Sequence, residues 1–371
     1  MAKADDKYAA AGVDYGVVDP GKLLAQRAAA ATASELARRG AREIAESRGE
    51  SAYVVALGDR FLATVTEALG TKNLVADAVR GYTKKTFYDA VGRDTVATIL
   101  NDLATVGARP LCLNAYWGAG SSEWFADAER MRDLVSGWQL ACTEAHSAWG
   151  GGETQVLGGM IDPKVLVLGG SATGLIASER ELLLGSRVRA GDVILFAPAT
   201  GIHANGLTLA RRVAETLPRG YETPVPGDPA GRSYGEVLLD ATPLYGVVLE
   251  ALFDAGVEVH YAVNVTGHGF RKLMRSTQAL SYVVAALPDV PPVLAMLTEA
   301  AKLDATEAYG TFNMGAGFAF FAAPGSADRA IEVAASLGTK LLRAGGVEKG
   351  PRRVVIEPLA IEFAGESLEI R

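Results

Sequence analysis

An acid interrupts an alternating, β-branched run in "FLATVTEALGTKN", where Glu67 is followed by Gly70, Thr71 and Lys72. A carboxylate in that place can hold Mg²⁺, which favours hard oxygen ligands, and Lys72 can neutralise a phosphate. The order Gly-Thr-Lys is not the P-loop order G-x-x-x-x-G-K-[ST]. An exposed acid beside a solvated lysine is an equally open reading of this stretch. Asn101-Asp102 forms a second candidate, set inside an otherwise apolar helical pattern. An Asp flanked by Leu100 and Leu103 is costly to bury without a partner, so it faces solvent or meets a cation or a ligand. In the third, Gly150-Gly151-Gly152-Glu153-Thr154, the glycines permit positive φ and a close approach of backbone to ligand, and the acid can reach a cation. A tight turn explains the glycines equally well but leaves Glu153 unaccounted for. The fourth is "TGIHANG", which places His203, Asn205 and Gly206 between a strand and a helix. Backbone N–H groups and an imidazole there suit an anion. His203 can also serve as general acid or base because its ordinary pKa lies near neutrality, while Asn205 is suited to cap the helix.

These residues need elements to hold them. An Ala-rich helical stretch covers 20–46 with an interruption near Gly40. Strands at 52–57 and 61–66 follow, joined through Gly58-Asp59. The pattern of Val96, Ile99, Leu100, Leu103 and Val106 predicts a helix that opens at Asp94 or Thr95 and ends at Gly107. A strand at 111–116, a helix at 126–146, a glycine corner at 149–160 and a buried strand from 165 to 176 complete the first half. The pattern restarts after "RVRAGDVILFAPAT" with a strand at 193–197, the His203 loop and a helix at 207–216. A polar loop at 218–235, a helix at 243–255 and a strand at 257–263 come next. Strands alternating with helices predict two α/β or α+β domains, divided near 187–192.

With 371 residues, 49% of them hydrophobic and 21% charged, the chain can bury two cores. A formal charge of −7 argues against general binding to nucleic acid or to anionic membranes. No apolar run reaches the roughly 18–20 residues that span a bilayer. The opening stretch lacks the apolar segment of a signal peptide. Cys112 and Cys142 lie in unlike contexts and read as free thiols, so the expected compartment is the cytoplasm.

Taken in order, the motifs resemble the aminoimidazole ribonucleotide synthetase family, also called phosphoribosylformylglycinamidine cyclo-ligase. "KYAAAGVDYG" is similar to that family's S-Y-x-x-A-G-V-D, "TEALGTK" to T-D-G-V-G-T-K, and "ILNDLATVGARPL" to V-N-D-L-x-x-x-G-A-E-P-L. "GGET", "GIHANGLTLARR", "VNVTGHGF" and "YGTFNMGAGF" follow in the family's order and approximate spacing. The resemblance implies an α/β (α+β) fold of two domains. These are an ATP-binding and dimerisation domain over 1–188 and a C-terminal α/β domain over 189–371. It further implies a homodimer whose N-terminal halves pair into a β-barrel, while the charge and the lack of a spanning run leave no nucleic-acid or membrane partner expected.

The implied activity is ATP- and Mg²⁺-dependent ring closure of formylglycinamidine ribonucleotide in purine biosynthesis. The alternatives are ATP-dependent activation of a different amide or phosphorylated substrate, or a non-catalytic nucleotide-binding homologue. Position by position, the resemblance implies catalytic roles for His203, Asp102 and Lys72, and Mg²⁺ ligation by Glu67, Asp102 and Glu153. Nucleotide contacts are implied for Glu67, Gly70, Thr71, Lys72, Asp94, Asn101, Gly151, Gly152, Glu153, Asn205 and Gly206. The departures fall in ligand-facing loops. "AREIAESRGES" stands where the family has a glycine-rich segment, and Glu67, one methylene longer than the family's Asp, reaches about 1.5 Å further. "GGETQVLGGMI" lacks a second acid, a proline and a tyrosine. Asn264 stands for a histidine and His268 for a glycine.

Overall fold

The computed structural model describes residues 15–368, so the opening motif "KYAAAGVDYG" falls almost wholly outside the described residues. The first half contains helix α1 (Tyr15–Ala31) and the strands β1 (Ala41–Glu43), β2 (Tyr53–Leu57) and β3 (Arg60–Ala68). Helices α2 (Lys72–Thr83) and α3 (Tyr88–Ala104), strand β4 (Arg109–Ala119), helix α4 (Ala128–Glu144) and strands β5 (Ala148–Val156) and β6 (Leu166–Ile176) follow. The second half runs through β7 (Val193–Pro198), α5 (Leu207–Thr216), α6 (Tyr234–Leu238), α7 (Tyr245–Asp254), β8 (Val259–Asn264) and β9 (Leu280–Val284). It continues with α8 (Pro292–Ala300), α9 (Ala305–Tyr309), β10 (Ala316–Ala322), α10 (Ala327–Ser336), β11 (Leu342–Lys349), β12 (Arg353–Ile356) and β13 (Ile361–Ala364).

Each half is built on one mixed sheet. The first has strand order β1-β2-β3-β6-β4-β5 and the second β13-β12-β9-β11-β7-β10-β8. Most pairings are antiparallel, with one parallel pair in each sheet, β4 with β5 and β9 with β12. This makes a two-domain mixed α/β fold. The first sheet is open within the chain, its edges being β1 and β5.

Alternation explains how β3 works. Phe61, Ala63 and Val65 are buried, while Thr64, Thr66 and Ala68 on the other face are exposed and Glu67 is half-buried. The strand therefore carries Glu67 out of the apolar layer at its C-terminal end. Helix α3 lies against this sheet, and Val91, Val96, Ile99, Leu100 and Leu103 sink into the core. Gly107 follows it at φ +84°, where a Cβ would stand 1.7 Å from the Glu181 carbonyl oxygen.

Three expectations need correction. The Ala-rich stretch is helical only to Ala31 (followed by a 3₁₀ turn at Ala33–Arg39), and 41–43 pairs with β2 as a strand. Helix α3 begins at Tyr88 rather than Asp94, which puts Asp94 inside it. The glycines 150–152 form no corner and lie within β5, where a Cβ on Gly152 would come 2.0 Å from the Ala115 carbonyl oxygen. Among the described residues, no helix is long and apolar enough to cross a membrane.

Candidate functional site

The stripe Asp94, Thr98, Asn101 and Asp102 runs along one face of α3 at near-helical spacing and turns toward the second half. Asn101 clamps that half with both ends of its amide. Its Nδ2 donates to the Pro243 carbonyl at 2.9 Å, and its Oδ1 accepts from the Tyr245 N–H at 2.8 Å. Asp94 is fully buried and accepts from the Thr242 N–H at 2.6 Å. These bonds explain why polar residues sit in an apolar helix: the loop before α7 has backbone groups that need partners.

The same stripe lines a cavity of about 210 Å³ between the halves. Glu67, Thr98, Asn101 and Asp102 form one wall, and His203, Asn205, Asn264, Thr266 and Lys272 belong to the facing wall. A second cavity of about 540 Å³ is lined by Lys22, Gln26, Glu50, Ser51, Arg275 and Leu368. Glu67, Asp102, His268 and Lys272 border both cavities and mark their junction.

The two junction acids differ in their support. Asp102 Oδ1 accepts a 2.7 Å hydrogen bond from Asn264 Nδ2, reaching across the cleft to the end of β8. Glu67 is pushed up to about 7, first by burial and then by the Asp102 charge, against the pull of Lys272. Lys272 follows the loop 265–268 on a 3₁₀ turn, and its ammonium donates to Thr266 Oγ1. Burial brings it down to about 8, with Asp102 and Glu67 pulling upward and Arg275 downward. His268 adopts φ +72°, a conformation in which the family's glycine would be unstrained. Burial and the surrounding Arg271, Lys272, Lys22 and Arg275 hold its imidazole down at about 3.

His203 is also in the left-handed region, at φ +62°, with only 3% of its surface exposed. Its Nε2 accepts from the Thr200 N–H at 3.3 Å, which leaves the ring proton on Nδ1. Burial, with Lys72 adding to it, lowers the imidazole to about 3. The near-neutral titration expected of His203 is therefore absent, and the ring is a neutral hydrogen-bond donor. Asn205 lines the same cavity, but the residue before α5 is Gly206, at φ +82°. A Cβ on Gly206 would strike the Phe312 ring at 2.3 Å.

Several expected site residues lie elsewhere. Lys72 is fully buried, ion-paired with Asp94, donates to the Asp240 carbonyl at 2.8 Å, and lines neither cavity. Asp94 is occupied by the same pair and by Thr242. Gly70, at φ +76°, and Thr71 form the turn into α2 and line neither cavity. Gly151, Gly152 and Glu153 stand exposed on β5, the open edge of the first sheet. Of the expected set, Glu67 and Asp102 meet in the cleft, and Glu153 stands apart from them within the chain. Among the described residues, no three or more His, Cys, Asp or Glu side chains converge on one cation position.

Sequence reasoning missed Lys272, Thr98, Thr242 and Thr266. The signal for Lys272 was the basic run "RKLMR" straight after the glycine loop. Cys112 and Cys142 are both free, and burial pushes the Cys142 thiol up to about 11.

Together, fold and cleft define a two-domain mixed α/β protein with paired carboxylates and a lysine where its halves meet. Residues 49–176 match the family model described as "AIR synthase related protein, N-terminal domain", and 189–357 match that of the C-terminal domain. The chain belongs to the AIR synthase related family. It is 33% identical over 292 residues to the phosphoribosylformylglycinamidine cyclo-ligase of Methanothermobacter thermautotrophicus, covering 78% of this chain and 82% of that protein. Identity to the enzyme of the same name from Carboxydothermus hydrogenoformans is 32% over 309 residues, covering 82% and 85%. Among solved structures, the hydrogenase maturation protein HypE in complex with ATP shares the fold. Its TM-score is 0.58 at 22% identity, over 81% of this chain and 83% of that one.

Proposed function

We propose that this protein is a cytoplasmic, homodimeric, ATP-dependent cyclo-ligase that converts formylglycinamidine ribonucleotide into aminoimidazole ribonucleotide. The observation that carries this reading is the pairing of Glu67 and Asp102 in one cleft between the halves, set against relatives named for this activity. The exposed edge of β5 supports a second copy pairing there, because an unpaired strand edge offers backbone donors and acceptors. In such a dimer the first sheets of both copies would form the expected barrel.

Two half-buried carboxylates whose charges repel fit a divalent cation. Mg²⁺ is commonly bound by one or two carboxylates together with substrate phosphates. Glu67 and Asp102 would hold it here, and it would neutralise charge on the nucleotide phosphates. Asn264 keeps Asp102 oriented through its amide hydrogen bond. His203 offers a neutral N–H to an anionic oxygen, which favours orientation over acid-base exchange.

In the proposed reaction the terminal phosphoryl group of ATP passes to the formyl amide oxygen and ADP leaves. The amidine nitrogen then adds to that carbon and loses a proton, and departing phosphate carries the oxygen away as the ring closes. Burial of the junction between two cavities supports such chemistry, since water would hydrolyse the phosphorylated intermediate.

The test is to incubate the protein with ATP, Mg²⁺ and formylglycinamidine ribonucleotide and to measure ADP and imidazole product. Equal amounts of both are expected. ADP formed only with another substrate would shift the assignment to a different amide or phosphorylated compound, and nucleotide binding without turnover would make the protein a non-catalytic homologue.

A further inference from the structure

We propose that Lys272, rather than Lys72, is the lysine that meets the phosphoryl oxygens in the cleft. The inference rests on the ATP-dependent reading and adds a residue that the sequence motifs did not single out. Lys72 is withdrawn from any ligand by its buried pair with Asp94 and its bond to Asp240. Arg275 is committed to the Gly49 carbonyl at 2.8 Å and to Ser51 Oγ at 2.6 Å. Arg271 is committed to the Gly310 carbonyl at 2.7 Å. Lys272 instead borders both cavities and shares their junction with Glu67 and Asp102. An ammonium carries three donors, and Thr266 Oγ1 accepts one of them.

Position makes this cation useful. Phosphoryl transfer needs a donor and an acceptor on opposite sides of the moving group, and positive charge close to its oxygens. A group at the junction of two chambers can touch an anion entering from either side. Glu67 and Asp102 supply the negative counterpart, and with both ionised they outweigh the one ammonium, which leaves the cluster room for a further cation. Because Lys272 follows the loop 265–268 of the second half and the acids belong to the first, contact with phosphate would also depend on how the halves are set.

Titration calorimetry with inorganic tripolyphosphate and Mg²⁺ tests the proposal on the full chain. We expect Lys272→Met to weaken binding at least tenfold and Lys272→Arg to recover part of it. ADP formation should fall at least a hundredfold in Lys272→Met. Wild-type binding matched by Lys272→Met would overturn the role of Lys272 while leaving the ATP-dependent reading intact. No binding by the wild type would overturn both. Should the methionine variant not fold, lysine acylation of the wild type read by mass spectrometry decides. Protection of Lys272 by tripolyphosphate supports the proposal, and unchanged labelling contradicts it.

Discussion

Lys72 and His203 show how burial rewrites a side chain's role. The stretch "TEALGTK" offered a lysine for phosphate, yet Lys72 has no exposed surface and faces Asp94. Removing one member of a buried pair leaves the other uncompensated, at a cost of about 3–5 kcal/mol. Lys72→Met should therefore lower the free energy of unfolding by that amount in urea titration. The double variant with Asp94→Asn should restore much of it, because the orphaned charge is then gone. For His203 the consequence is pH dependence. Its imidazole falls from 6.5 to about 3 in the folded chain, so only the unfolded chain takes up its proton between those values. Its contribution to stability is complete above about pH 6.5 and is lost as pH falls toward 3, with a slope of about 1.4 kcal/mol per pH unit. His203→Asn, which tolerates positive φ, should flatten the acid limb by about one proton's worth; an unchanged slope would show that the ring does not carry this penalty. No spacing rule separates Lys72 from Lys272, since both follow glycine loops. Only the packing of the second half decides which of them reaches the cleft.

Helix α3 and strand β5 carry the corresponding lesson for elements. The helix was legible from its apolar spacing, and α5 was predicted at its observed bounds of Leu207–Thr216. What spacing could not reveal was the use of the polar stripe on α3, because the partners of Asn101 lie more than 140 residues away, at Pro243 and Tyr245. Local propensity misled at both extremes. Alanine extended the first helix into residues that pair with β2, and glycine suggested a corner where a strand needs close backbone approach. The end of α3 gives a direct check. Gly107→Ala combines a left-handed φ with a Cβ placed against the Glu181 carbonyl. It should cost about 2–5 kcal/mol in stability and expose the α3–β4 turn to faster amide exchange. Unaltered exchange would mean that the turn relaxes freely.

For the molecule as a whole, the order of the glycine- and acid-bearing motifs was enough to point to the two-domain family, whose models match residues 49–176 and 189–357. The composition of the cleft was less legible. Each half contributes only part of the cluster: Glu67 and Asp102 come from one half, and His203, Asn264 and Lys272 from the other. Glu153, kept in "GGET", faces outward on an open edge and has a place in a single cleft only if another copy or a ligand approaches it. Glu67, Asn264 and His268, three positions that depart from the family's pattern, line the cleft, so the proposed substrate needs a test that follows its atoms. The most direct one supplies formylglycinamidine ribonucleotide bearing ¹⁸O in the formyl oxygen, with ATP and Mg²⁺, and reads the released phosphate by ³¹P NMR. Transfer to the amide oxygen predicts one ¹⁸O in each phosphate released with the imidazole product. Unlabelled phosphate, or no imidazole product at all, would contradict the account.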